Sequence, residues 1–261
     1  MAVVRINGFR MYYEVCGRGV PLLFVHGGLG GGGGSATFRQ HQMTQLAAYA
    51  EVIAFDRRAA GQSEAPATGY TFDAFVADLV ALLDHLGHPR AILMGTSAGG
   101  PLVLQCTSSY PERVMALILG STATQTVRVP PELASLITFM GSEGLMQLQA
   151  MLTRHEATAA ASSAPPLPSP FNNFGGILQT YLAYHLHGDP LAACLDTIAV
   201  PTLILHGTAD TEVSFGEAEK LYEGLPHASL VPFVGGGHDI MVAQAEAYRQ
   251  AIVAFLQALP R

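Results

Sequence analysis

Ser97 stands between Gly95 and Gly99 in the stretch ILMGTSAGGPLVLQC, directly after an apolar run. Gly and Ser punctuate many turns between strands and helices, so a plain turn is the bland explanation. The sharper one is a nucleophile, a serine raised on a strained strand–turn–helix corner. Such a serine needs a base to take its proton and an acid to orient that base. Asp210 lies just past the apolar run TLILHG, and His238 lies in GGGHD, just past SLVPFV. In an open α/β sheet, groups of this kind collect at the carboxyl ends of the strands. Asp210 could merely cap the helix that follows it, and Glu212 is a neighbouring carboxylate that could take its place. Among ten histidines, His26 and His206 also precede glycines at expected strand ends. The attacked carbonyl oxygen further needs hydrogen-bond donors. The backbone N–H of Ala98, at the start of the helix behind Ser97, is one.

The elements that must hold these residues alternate between strand and helix patterns. MAVVRINGFRMYYEV reads as a strand pair around Asn7-Gly8, a hairpin turn signal. PLLFVHGG and EVIAFD are continuous apolar runs of the kind buried on both faces of a sheet. ATFRQHQMTQLAAYA predicts a helix between them, and FDAFVADLVALLDHLG has helical spacing that ends at Gly87. AILMG, a helix through about Tyr110, and VMALILG continue the rhythm, which argues for a mostly parallel sheet with helices on both faces.

From about 123 to 190 the rhythm breaks. PPELASLITFMGSEGLMQLQAMLTRH reads as one or two amphipathic helices, ATAAASSAPPLPSPFNN as a connector, and ILQTYLAYHLHG as a further helix. The pattern resumes with PTLILHGTAD, the helix GEAEKLYEGL, the strand ASLVPFV and a helix over 241–258. The expected organisation is a core of 1–122 and 191–261 interrupted by a helical cap at 123–190.

Composition narrows the chemistry. The 261 residues are 49% hydrophobic and 13% charged with net charge −7, which suits a globular enzyme and offers no basic run for nucleic acid or anionic lipid. Lys220 is the only lysine, which weighs against a phosphate-cradling loop and most Schiff-base chemistry. Cys16, Cys106 and Cys194 have no metal-like spacing, so neither a zinc site nor a disulfide framework is expected. With no leader-like start and no apolar run of spanning length, the expectation is a cytoplasmic protein without membrane partners. GLGGGG from Gly28 imitates a dinucleotide fingerprint, with Asp56, Arg57 and Arg58 following the next strand. Its glycines would match almost any spacing, so no cofactor is expected.

HGG at 26–28, DRRAAGQS at 56–63, GTSAG at 95–99, HGTAD at 206–210 and GGGHD at 235–239 together resemble the α/β-hydrolase family. The resemblance spans roughly 20–122 and 195–258. It implies the α/β-hydrolase fold, with Ser97 as nucleophile, Asp210 as acid and His238 as base. It implies a second oxyanion donor in the backbone N–H of Gly28, and a structural use for His26 and His206. Ala59 stands where the family's Asp-x-Arg-Gly-x-Gly-x-Ser loop has its first glycine. Serine rather than aspartate at the elbow argues against haloalkane dehalogenases and hydrolytic epoxide hydrolases. A small-molecule ester or lactone is the expected substrate, with Leu29, Met140, Met146, Met151 and Tyr184 as contacts. The alternatives are carbon–carbon hydrolysis of ring-cleavage products, which HGGLGGGGGSATF resembles, and cofactor-free perhydrolysis. Thr96 and Asp239 depart from the carbon–carbon group's usual residues. A ligand receptor on the same fold, with vestigial catalysis, is a third class.

Overall fold

The structure, a computed structural model, describes residues 2–28, 33–125, 174–187 and 190–259. Leu29, Met140, Met146, Met151 and most of the cap expected at 123–190 lie outside the described residues.

Eight strands form one sheet: β1 (Ala2–Ile6), β2 (Phe9–Cys16), β3 (Pro21–Val25), β4 (Glu51–Phe55), β5 (Ala91–Thr96), β6 (Val114–Gly120), β7 (Thr202–Gly207) and β8 (Ala228–Phe233). Their spatial order is β1-β2-β4-β3-β5-β6-β7-β8. The pairs β1–β2 and β2–β4 are antiparallel and all the others are parallel. The opening hairpin turns at Asn7 and Gly8, with φ of 46° and 88°, the two left-handed residues that a tight hairpin turn requires. From β3 the chain moves outward to β4, then crosses back to β5 on the other flank. Strand order therefore reverses at β3 and β5, where an open α/β sheet leaves a crevice for ligands.

Alternate residues of the strands feed opposite layers, as a period of two demands. Leu22 and Phe24 of β3 pack with Phe38, Leu46, Tyr248 and Ile252 on one face. Leu23 and Val25 pack on the other, with Leu79, Leu82, Leu102 and Leu221. All of these are fully or nearly fully buried, each worth about 1.5–3 kcal/mol relative to exposure. The second layer is built by α1 (Phe72–His85), α2 (Gly99–Ser109), α3 (Phe174–His187) and α4 (Phe215–Gly224). The first layer is completed by α5 (Ala245–Ala258). In α1 the Thr71 hydroxyl caps Ala74 N–H, and Gly87 at φ 77° follows the helix end.

Two helices differ from their sequence patterns. The helix expected after the glycine run is Ala36–Phe38, a π-helical stretch Arg39–Met43, then Thr44–Leu46. The C-terminal helix is broken at Gln244 into the single turn Ile240–Ala243 and α5. One contact joins both departures. Gln42, buried within the π stretch, donates from Nε2 to the carbonyls of Met241 (2.8 Å) and Ala245 (3.2 Å) on either side of the break. No helix among the described residues is long and apolar enough to cross a membrane.

Candidate active site

The elbow is a backbone device before it is a chemical one. Ser97 follows the last residue of β5 with φ +48°, a left-handed conformation that costs a non-glycine residue about 1–2 kcal/mol. Its neighbours leave no room for side chains. A Cβ on Gly95 would lie 2.6 Å from the Gly99 carbonyl oxygen, and one on Gly99 would run into the Val25 carbonyl oxygen at the end of β3. On Gly27 a Cβ would meet the Ser97 Cβ at 2.9 Å. Gly-x-Ser-x-Gly is therefore what lets α2 start directly behind β5 while the His26–Gly28 loop crosses close over the serine.

Asp210 and His238 sit in the loops after β7 and β8, and those loops are laced together. Ala209 N–H donates to the Gly236 carbonyl (2.8 Å), and Gly235 N–H donates to the Thr208 hydroxyl (2.9 Å). Asp210 is 8% exposed. Its Oδ1 accepts the backbone N–H groups of Glu212 (2.8 Å) and Val213 (2.9 Å), and its Oδ2 lies 2.8 Å from His238 Nδ1. Glu212, the other carboxylate weighed for this role, is on the opposite side of the ring. Its Oε2 is 3.8 Å from His238 Nε2, and its side chain is 66% exposed.

The remaining supports come from the loop after β6. Ser121 donates from Oγ to the His238 carbonyl (2.8 Å), and the next residue, Thr122, donates from Oγ1 to the Ser97 carbonyl (2.6 Å). Two successive hydroxyls thus tie the histidine loop and the elbow to one strand end. Ser97 and His238 both face a cavity of about 330 Å³, whose wall includes His26, Gly28, Ser121 and Glu212.

His26 and His206 are buried and hold backbone. His26 Nε2 accepts the Arg57 N–H (3.0 Å), so its proton is on Nδ1, which donates to the Gly27 carbonyl (2.7 Å). Burial first, and the Arg57 charge second, push His26 down to about 3. His206 is also pushed down by burial, and its Nε2 meets the Val213 carbonyl at 2.9 Å.

The His26 shift has a pH consequence of definite sign. The unfolded chain takes up a proton near 6.5 that the folded chain refuses until about 3. Stability from this group is complete above that window and falls as pH drops through it, by up to about 1.4 kcal/mol per pH unit. Chemical denaturation across the window should show a shallower acid loss in His26→Gln than in the wild type. Parallel profiles would mean that His26 carries no such linkage.

Tyr184, expected as a substrate contact, is corrected by its placement. It is 2% exposed, its ring packs edge-on against Phe72 at 5.0 Å, and its hydroxyl donates to the Ala98 carbonyl while accepting from Arg57 Nη1 (2.9 Å). The apolar spacing of α3 turns this residue into the core, so it braces the elbow from behind. Ala98 begins the helix at the elbow, and Gly28 lines the cavity with φ 72°. Asp239 is exposed at the cavity edge.

Asp56 explains the loop around 56–63. Its Oδ1 accepts from Ser35 N–H (2.7 Å) and hydroxyl (2.6 Å), and its Oδ2 accepts from Gln62 N–H (2.9 Å). Burial alone would raise this carboxyl, but the Ser35 and Gln62 donors together hold it below the usual range. Gly34 and Gly61 pack directly on the carboxylate, where a Cβ could not fit. Ala59 adopts φ 60°, the conformation for which a glycine would be suited. Among the described residues no group of three or more His, Cys, Asp or Glu side chains is arranged to hold a metal.

Known proteins place this chain in a wider set. Residues 187–260 match the family described as TAP-like protein. The putative carbamate hydrolase RutD of Pantoea ananatis is 27% identical over 262 residues, covering 95% of this chain and 93% of that protein. The 2-hydroxymuconate semialdehyde hydrolase of Pseudomonas putida is 28% identical over 262 residues, covering 95% and 91%. The enol-lactonase of Burkholderia xenovorans LB400 superposes with a TM-score of 0.74 at 22% identity, covering 98% of this chain and all of that one. That likeness is one of fold. The alpha/beta hydrolase fold family itself matches residues 20–157, from β3 through the elbow and beyond β6, and the chain belongs to that family.

Proposed function

We infer that the protein is a serine hydrolase that cleaves carboxylic esters or lactones of small to medium apolar substrates through an acyl-enzyme on Ser97. The observation that carries this reading is a strained serine sharing one cavity with a histidine whose far nitrogen is held by a buried carboxylate. Asp210 keeps the His238 proton on Nδ1, which leaves Nε2 as the atom able to accept the Ser97 proton. The serine oxygen then attacks the carbonyl, and the charge on that oxygen falls to the N–H groups of Gly28 and Ala98. The leaving alcohol takes the proton from His238, and a water molecule repeats the sequence to free the acid.

The cavity wall favours neutral substrates. Its described residues include Glu212 and Asp239 and no Arg or Lys, so a bound carboxylate would meet like charge. Leu29 and the cap residues Met140, Met146 and Met151 supply the apolar contacts in this reading, methionine being able to fit varied shapes. The relative from Pseudomonas putida favours a second reading, carbon–carbon hydrolysis, whose dienoate substrate carries the charge that this wall disfavours.

A panel decides between the two. Neutral p-nitrophenyl esters and lactones should be turned over with kcat/KM at least tenfold above a ring-cleavage dienoate. A dienoate that outperforms every ester would assign carbon–carbon cleavage instead. No turnover of any member would leave the receptor reading in place.

A further inference from the structure

We propose that Arg57 and Thr122 are positioning residues that hold, from behind, the two peptide groups whose N–H bonds receive the oxyanion. The proposal rests on the reading of Gly28 and Ala98 as the donors and extends it to the groups that aim them. A peptide unit is planar, with its C=O and N–H pointing in opposite directions. A donor fixed on the carbonyl therefore fixes the direction of the N–H on the other side.

Each donor peptide has such an anchor. The Gly28 N–H belongs to the peptide whose carbonyl is Gly27's, and that oxygen receives Arg57 Nη2 at 3.3 Å together with His26 Nδ1–H at 2.7 Å. The same Arg57 nitrogen also donates to the Gly28 carbonyl, so the guanidinium clamps two successive peptides of the oxyanion loop. The Ala98 N–H belongs to the peptide whose carbonyl is Ser97's, and that oxygen receives Thr122 Oγ1–H at 2.6 Å together with Gly100 N–H at 2.9 Å. Neither anchor is free to reorient. Arg57 is 5% exposed and Thr122 is 1% exposed. Thr122 is seated so closely on α2 that a Cβ at Gly100 would collide with its hydroxyl.

The chemistry of the anchors adds to their geometry. Arg57's neighbours are carbonyl oxygens and the Tyr184 hydroxyl, and no carboxylate lies in ion-pair range of it among the described residues. A buried guanidinium without a counter-ion is costly to the fold. Here its charge stands directly behind the oxyanion loop, where it polarises the Gly27–Gly28 peptide and makes its N–H a stronger donor as negative charge develops. Thr122 does the same on the elbow side without charge.

The test uses the whole chain. Before any variant is read, a fluorophosphonate must label the wild type at Ser97; no labelling there means that the underlying reading has failed, not the anchors. With that established, Thr122→Val removes the hydroxyl at nearly constant volume and leaves Gly100 N–H on the Ser97 carbonyl. It should lower kcat for a neutral ester on the order of tenfold, below the cost of losing a direct donor, with KM within twofold. Affinity for a trifluoromethyl ketone, whose adduct carries the oxyanion, should fall by the same factor. Thr122→Ser should restore both. Arg57→Lys keeps the charge but cannot span its acceptors, and should show the same paired loss. Wild-type kcat in Thr122→Val overturns the proposal. So does a kcat loss without a matching loss of ketone affinity, or one that Thr122→Ser fails to rescue.

Discussion

Replacing Ser97 with alanine is expected to lower kcat on the order of 10⁶-fold while leaving a folded protein. The loss is this large because the proposed route passes through a covalent bond to Ser97 Oγ, which alanine cannot form. The histidine and the carboxylate gain nothing from being intact without it. The backbone supplies an internal control. At φ +48° both serine and alanine are strained, whereas glycine is not. Ser97→Gly should therefore be equally inactive yet more stable than Ser97→Ala by about 1 kcal/mol, measured by chemical denaturation. Inactivity with a raised midpoint in the glycine variant separates lost chemistry from lost fold. Substantial turnover in either variant, or single-site labelling by a fluorophosphonate somewhere other than Ser97, would sink the assignment.

The elbow was legible because its sequence pattern is imposed by contact at the backbone. Gly95, Gly99 and Gly27 are required by approaches of 2.6–2.9 Å or closer, and such constraints are written locally. The positions of Asp210 and His238 were legible for a related reason, since an apolar run fixes where a strand ends and the crevice lies at the strand ends. The anchors were not. Arg57 reads in sequence as one of two basic residues after a strand, Thr122 as one of several small residues after β6, and Tyr184 as one aromatic on a helix. Their roles depend on partners 30, 25 and 86 residues away, and no periodicity reports which atoms docking will bring together. Tyr184, expected as a substrate contact, instead holds the Ala98 carbonyl with its hydroxyl. The π-helical stretch was hidden for the same reason. It places Gln42 against Met241 and Ala245, a contact across about 200 residues, while keeping an apolar pattern that an ordinary helix would share.

Asp210→Asn is expected to lower kcat on the order of 10⁴-fold with little change in KM. The geometry makes the His238 proton the main target of the substitution, although Asp210 Oδ2 also stands 3.4 Å from the buried His206 Nε2. Asp210 Oδ1 accepts the Glu212 and Val213 N–H groups, and an asparagine can keep both bonds by presenting its carbonyl oxygen there. Its amide nitrogen then faces His238 Nδ1, 2.8 Å from where Oδ2 stood. An amide N–H in that place requires an acceptor on the ring, so Nδ1 loses its proton and Nε2 carries it. In that tautomer Nε2 cannot accept the Ser97 proton, although the loop, the cavity and the substrate contacts are unchanged. Glu212→Gln is the matched control. Its carboxylate lies 3.8 Å from the other ring nitrogen and is mostly exposed, a setting in which an ion pair is worth little. Kcat of Glu212→Gln should stay within about threefold of the wild type on that scale. Steady-state kinetics of the two variants on one neutral ester settles which carboxylate orients the base. A severe loss in Glu212→Gln beside a near-normal Asp210→Asn would move the role to Glu212, and with it the tautomer on which the proposed mechanism depends.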